Sequence, residues 1–112
     1  MIVAVSGMIV EFPQDVIERL ARRFSPDKII LFGSRARGTA NEGSDFDLLV
    51  LFDEVANPTL RSAELHAALG DFPYAADIVV STTRRFERYR NVLNTVYWPA
   101  AHEGKVLYER AA

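Results

Sequence analysis

Two aspartates, Asp45 and Asp47, lie two residues apart at the start of an apolar run, and a Gly33-Ser34 pair ends the apolar run before it. In an extended strand alternate side chains project to the same face, so the two carboxylates should lie a few ångströms apart. Carboxylates that close repel each other unless a cation lies between them, and hard oxygen ligands suit Mg²⁺ or Mn²⁺. The pair therefore predicts a divalent cation site that also takes substrate phosphates.

The Gly33-Ser34 pair could supply the phosphate side of such a site. Glycine permits close backbone approach, and a helical turn after it would aim its positive end at an anion. Arg35 and Arg37 follow in the same loop, where a guanidinium could neutralise triphosphate oxygens. The alternative is a pair of solvent-exposed arginines, and we expect at least one of the two to contact phosphate or a partner.

The elements that position these residues follow from hydrophobic periodicity. Segments 28–32 and 45–52 are apolar on both faces, which is typical of strands in a covered or central position of a sheet. Further strands are predicted at 75–81 and 105–108, with helices at 12–24, 57–70 and 82–89 and a short helix around Pro99. The expected fold class is α/β (α+β), a small mixed sheet with helices packed on it.

Asp77 lies within the third predicted strand. An aspartate is disfavoured in a strand and costly near a core, so its presence needs a cause. An ion pair with an arginine would be enough to explain an aspartate at this position. Joining Asp45 and Asp47 as a third metal ligand would also be sufficient, and spacing alone does not choose between these two explanations.

Composition limits the possible classes of protein. A chain of 112 residues, taken as one domain over 1–112, is too short for a catalytic core plus a separate substrate domain. Without cysteine there is no disulfide or thiolate metal site, which is compatible with the cytoplasm. A net charge of −2 predicts no direct nucleic-acid binding. Residues 1–10 are too short to span a membrane, and we interpret them as an N-terminal extension or an edge strand.

The central stretch resembles a known family. Gly33-Ser34, ten intervening residues, and Asp45-Phe46-Asp47 opening an apolar run are similar to the signature of the DNA polymerase β-type nucleotidyltransferases. Segment 31–50 resembles their minimal nucleotidyltransferase branch, including Arg35 and Arg37. The resemblance implies a polymerase β palm-like fold in which Asp45, Asp47 and Asp77 bind two Mg²⁺ ions, with Mn²⁺ as a substitute. It also implies that Gly33 and Ser34 hold the β- and γ-phosphates of ATP.

The same resemblance suggests an activity and a partner. Members of this branch are typically antitoxins encoded beside a HEPN ribonuclease toxin, and some transfer AMP to a toxin tyrosine. We therefore expect a Mg²⁺-dependent, cytoplasmic nucleotidyltransferase that moves AMP from ATP to a hydroxyl of a HEPN toxin. The alternatives are an antitoxin that acts only by binding, and a small-molecule enzyme resembling those that adenylylate aminoglycosides, which the lack of a second domain makes less favoured.

Overall fold

The computed structural model describes residues 11–41 and 43–111, so the expectations for residues 1–10 lie outside the described residues. The described chain forms five helices and four strands. In chain order they are α1 (Gln14–Phe24), β1 (Lys28–Phe32), α2 (Ser34–Arg37), β2 (Phe46–Phe52), α3 (Pro58–Ala68), β3 (Ala76–Thr82), α4 (Thr83–Tyr89), α5 (Tyr97–Glu103) and β4 (Lys105–Glu109).

The four strands form one mixed sheet in the order β3-β2-β1-β4. β1 runs antiparallel to both of its neighbours, whereas β2 and β3 run parallel. Parallel neighbours need a crossover, and α3 lies within the connection from β2 to β3. The α/β fold class expected from the sequence is confirmed.

Helices cover both faces of the sheet, because the residues of β2 alternate between two apolar clusters. Phe46, Leu48 and Val50 point to the face covered by α1 and α3. Leu49 and Leu51 point to the opposite face, where they pack with Phe86 of α4 and Ala100 of α5. Every one of these β2 side chains is fully buried, which accounts for the continuous apolar run that the sequence shows.

The element boundaries differ from the predicted ones by one or two residues, mainly at helix ends. α1 starts at Gln14 after Pro13, and α3 starts after Asn57, whose side chain accepts a hydrogen bond from the Leu60 N–H at 3.0 Å. α3 ends at Ala68, two residues before the predicted end. In the described part of the chain no helix has the length and apolar character needed to cross a membrane.

Candidate active site

Three aspartates lie at one end of the sheet. Since β2 and β3 are parallel, their first residues meet at the same edge, and Asp47 is the direct register partner of Asp77. Asp45 immediately precedes β2, two residues before Asp47, and is close enough for its charge to affect the pKa of Asp47. The structure therefore brings together the three carboxylates that the sequence predicted.

The charge of this group is visible in the pKa of Asp47. Partial burial raises the pKa of the Asp47 carboxyl above its ordinary value, and the negative charges of Asp77 and Asp45 raise it further. The positive charge of Arg37 acts in the opposite direction. Asp47 thus lies at the centre of an acidic group that its protein neighbours only partly neutralise.

Gly33 faces Asp47 across the sheet edge. It has φ +76° and ψ −159°, a conformation that side-chain-bearing residues rarely adopt. A Cβ atom at this position would overlap Oδ2 of Asp47 and lie 3.2 Å from its Cγ. The glycine is therefore required both by the backbone and by the close approach of the Asp47 carboxylate.

The predicted helical turn follows Gly33 directly. α2 begins at Ser34, and the Gly33 carbonyl accepts hydrogen bonds from the N–H groups of Ala36 and Arg37 at 3.1 Å each. The Ser34 carbonyl accepts hydrogen bonds from the two residues that follow α2, at 3.0 and 3.1 Å. Gly33, beside the Asp47 carboxylate, and Ser34 consequently belong to one hydrogen-bonded turn, and their binding of phosphate stays a prediction.

The two arginines of α2 differ in their surroundings. Arg35 is buried, with 6% of its surface exposed, and its guanidinium donates to the Ser44 carbonyl from Nε at 3.2 Å and Nη2 at 2.8 Å. Its Cζ lies 4.5 Å from the ring centroid of Phe46 and 5.7 Å from that of Tyr74. Arg35 thus fastens the loop before Asp45 to the core, and this position does not favour the nucleotide contact predicted for it.

Arg37, in contrast, is exposed and close enough to Asp47 to affect its pKa. Its Nη1 lies 3.8 Å from Oε1 of Glu103, the last residue of α5. Of the two arginines, Arg37 is the one that the structure places beside the carboxylates. Glu103 was not predicted, because no local pattern in the sequence links it to a loop more than sixty residues earlier.

Phe46, between the two neighbouring aspartates, packs into the core. It is fully buried, and its ring packs at 5.5 Å from both Phe12 and Phe72. Since Phe46 points into the core, Asp47, the next residue of β2, lies on the opposite side of the strand. This alternation confirms the arrangement expected from the Asp-Phe-Asp sequence.

The donor set suits a hard divalent cation that arrives with phosphates. Within the described ranges no three Asp, Glu, His or Cys side chains form a complete metal-binding group, although charge repulsion between aspartates acts over longer distances than metal–ligand bonds. Mg²⁺ needs only one or two carboxylates when substrate phosphates and waters supply its other ligands. Asp45, Asp47 and Asp77 have the oxygen chemistry that such an ion prefers, but their carboxylates do not form a metal-binding group among the described residues. Their binding of Mg²⁺ stays a prediction.

Comparison with known proteins places the chain in a family. The nucleotidyltransferase domain profile matches residues 14–96. The chain belongs to the nucleotidyltransferase domain family. Over 57 residues it is 42% identical to a candidate protein adenylyltransferase of Methanocaldococcus jannaschii, a match that covers 51% of this chain and 54% of that protein. The chain therefore spans about half the length of this relative.

Solved structures share the fold of this nucleotidyltransferase domain. A candidate nucleotidyltransferase of Sulfolobus solfataricus has a TM-score of 0.61 at 21% identity, covering 87% of this chain and 77% of that one. A toxin–antitoxin structure with AMP-PNP has a TM-score of 0.54 at 23% identity, with coverages of 88% and 75%. A mutant of the MntA-HpeT toxin–antitoxin has a TM-score of 0.58 at 20% identity, with the same coverages.

Proposed function

We propose that this nucleotidyltransferase domain transfers AMP from ATP to a hydroxyl of a partner protein in a Mg²⁺-dependent reaction. One observation carries the proposal: Asp47 and Asp77 are register partners at the start of adjacent parallel strands, with Asp45 two residues before Asp47. Gly33 leaves room for the Asp47 carboxylate and begins the turn that would receive the phosphates. The metal ligands and the hydrogen-bond donors to phosphate would therefore share one edge of the sheet.

Each residue has a distinct role in this proposal. Asp45, Asp47 and Asp77 would hold two Mg²⁺ ions, which would lower the pKa of the attacking hydroxyl and neutralise charge on the triphosphate. The backbone of Gly33, which lies beside Asp47, and the hydroxyl of Ser34, the next residue, hold the β- and γ-phosphates. Arg37 adds positive charge at the same edge.

The transfer forms one bond and breaks one. The acceptor oxygen bonds to the α-phosphorus of ATP, and the bond from that phosphorus to the oxygen bridging the β-phosphate breaks, which releases pyrophosphate. Asp77 is exposed at the edge strand and accepts the proton of the acceptor hydroxyl. The positive charge of Arg37 favours the ionised form of Asp47, the form that binds a cation.

A toxin protein is the proposed partner. The relative described as a candidate protein adenylyltransferase and the two toxin–antitoxin structures of the same fold support a protein acceptor rather than a small molecule. Within this proposal the acceptor is a tyrosine of a HEPN ribonuclease toxin, and the reaction takes place in the cytoplasm.

An antitoxin that neutralises its partner by binding alone is the second candidate. It is favoured by one observation, namely that the aspartates do not form a complete metal-binding group within the described residues. In that case the acidic edge would be a remnant of the family's site, and neutralisation would not depend on ATP.

Transfer of label from α-phosphate-labelled ATP to the proteins that co-purify with this chain from its native host tests both candidates. We expect labelling with Mg²⁺, its loss in Asp47→Asn, and its retention in Asp15→Asn, which changes an exposed aspartate of α1 on the other face of the sheet. The binding proposal would replace the catalytic one if the partner forms a stable complex but acquires no label, and if the Asp47→Asn variant still neutralises that partner.

A further inference from the structure

α4 carries a concentration of positive charge that the proposed reaction does not use. Residues 83–90 contain four arginines and one glutamate, a net charge of +3, in a chain whose net charge is −2. Glu87 pairs with Arg90 at 2.9 Å. Among the described residues, the salt bridges include none of the other three arginines of this segment, Arg84, Arg85 and Arg88, and all three are exposed.

Aromatic rings hold two of these guanidinium groups in place. Cζ of Arg85 and of Arg88 lie 5.0 and 5.5 Å from the ring centroid of Tyr89. Nε of Arg85 also donates to the Tyr97 hydroxyl at 3.1 Å, and the Tyr97 ring stacks on Tyr89 with centroids 6.0 Å apart. A guanidinium stacked on a ring keeps its in-plane N–H groups available for a planar anion such as a carboxylate.

These side chains form one concave surface. Arg84, Arg85 and Arg88 line a shallow cavity of about 210 Å³ together with Thr82 and Tyr89. The chain then continues into a turn in which Val92 and Leu93 are 44% and 66% exposed. We call residues 83–93 the α4 surface, which combines fixed positive charge with an exposed apolar end.

The α4 surface lies on the same side of the sheet as the three aspartates. Asp47 shares its face of β2 with Leu49 and Leu51, and these two leucines pack against Phe86 of α4. α5 crosses the same face and ends at Glu103, which contacts Arg37 beside the aspartates. A protein bound to the α4 surface would therefore lie on the side from which an acceptor hydroxyl must reach Asp47 and Asp77.

The end of α4 points toward this site. α5 starts beside the far end of β3, where the Tyr97 hydroxyl is 2.8 Å from the Ser81 hydroxyl, and it ends near the aspartates. The side chain of Asn91, just after α4, lies 2.9 Å from Nε2 of His102, near the end of α5. The apolar end of the α4 surface is therefore nearer the site than the first arginines are.

We infer that the α4 surface docks an acidic segment of the acceptor protein, with its apolar end covered by aliphatic side chains of the same segment. The inference rests on the proposed function, because it names the feature by which the acceptor protein is recognised. Carboxylates of the segment pair with Arg84, Arg85 and Arg88. The segment thereby brings a neighbouring hydroxyl to the face that carries the aspartates.

The described side chains favour protein over single-stranded nucleic acid. Nucleic-acid strands bind surfaces with free aromatic faces on which bases stack, but the Tyr89 ring is already in contact with Tyr97, Arg85 and Arg88. The exposed apolar residues are aliphatic.

The test uses charge-matched double variants on the two faces of the sheet. Arg84→Glu with Arg88→Glu reverses charge on the α4 surface, and Arg22→Glu with Arg23→Glu reverses the charge of two exposed arginines on α1. The probe is a fluorescent random copolymer of glutamate and tyrosine, whose binding is followed by anisotropy at low and physiological salt. We expect the α4 variant to bind about tenfold more weakly or worse, and the α1 variant to bind like the wild type.

Three results would overturn the docking inference: a wild type that does not bind the copolymer, equal weakening in both double variants, or tighter binding of polyuridylate than of the copolymer. The last result would identify a nucleic-acid surface. Binding of a fluorescent ATP analogue and label transfer are measured on the same samples. A wild type that docks the copolymer but transfers no label to its co-purified partner protein would refute the proposed reaction while leaving the docking surface in place.

Discussion

Replacement of Gly33 by alanine provides a quantitative test of the site geometry. The backbone at φ +76°, ψ −159° lies in a region that is essentially restricted to glycine, and a residue forced into such a region costs about 1–3 kcal/mol. The new Cβ would also overlap Oδ2 of Asp47. Rotation of that carboxylate out of its preferred rotamer costs about 1 kcal/mol.

Together these costs predict that Gly33→Ala lowers the free energy of unfolding by about 3 kcal/mol, or Tm by roughly 12 °C for a domain of this size. Gly38→Ala is the matched control, since Gly38 also has a positive φ, +81°, but a Cβ there would meet nothing within 4 Å. The control should cost about 1 kcal/mol, or roughly 4 °C. Thermal unfolding followed by circular dichroism measures both.

A double-mutant cycle isolates the contact with Asp47. In the double variant Gly33→Ala, Asp47→Ala the overlapping carboxylate is absent, so its loss of stability should be about 1 kcal/mol smaller than the sum of the two single losses. Equal Tm values for Gly33→Ala and Gly38→Ala, or strict additivity in the cycle, would show that Gly33 does not limit the position of Asp47.

Two further predictions concern Asp47 and Arg35. Burial and the charges of Asp77 and Asp45 raise the pKa of Asp47 in the folded protein. Between the unfolded and the folded pKa, the folded protein therefore keeps a proton that the unfolded chain has lost. The free energy of unfolding consequently falls as pH rises through this range. In the absence of divalent cations, Asp47→Asn should remove this fall in stability and raise Tm at neutral pH. Mg²⁺ should stabilise the wild type more than the variant. Parallel pH profiles of Tm for the wild type and the variant would contradict this account. Arg35→Met should lower the free energy of unfolding by about 2 kcal/mol, because the buried guanidinium donates twice to the Ser44 carbonyl and stacks on Phe46. Arg37→Met, the control, should change it by less than about 0.5 kcal/mol. Similar denaturant midpoints for these two variants would refute the structural role of Arg35.

The contrast between Arg35 and Arg37 shows where prediction from sequence stops. Two residues apart on a helical turn, side chains point roughly 200° away from each other, so only one of the two can face the aspartates. Which one does so depends on how α2 packs on Phe46 and Tyr74. No local pattern contains that information, and the prediction from sequence therefore went no further than a contact with phosphate or a partner for at least one of the two.

Local chemistry was sufficient for the elements and for the acidic pair. Alternation of side chains in a strand requires Asp47 to lie opposite Phe46, and apolar periodicity located the helices within one or two residues. These features depend on interactions between residues close in the chain, which the sequence shows directly.

Tertiary structure decided the remaining features, because they depend on contacts between residues distant in the chain. The parallel pairing of β2 and β3 made Asp77 the register partner of Asp47, where the residues alone had left arginine pairing equally open. Packing of α5 brought Glu103 to Arg37, and packing of α4 placed its arginines on the same side of the sheet as the aspartates. The four arginines of residues 83–90 are adjacent in the sequence, but the net charge does not show them because it averages over the whole chain.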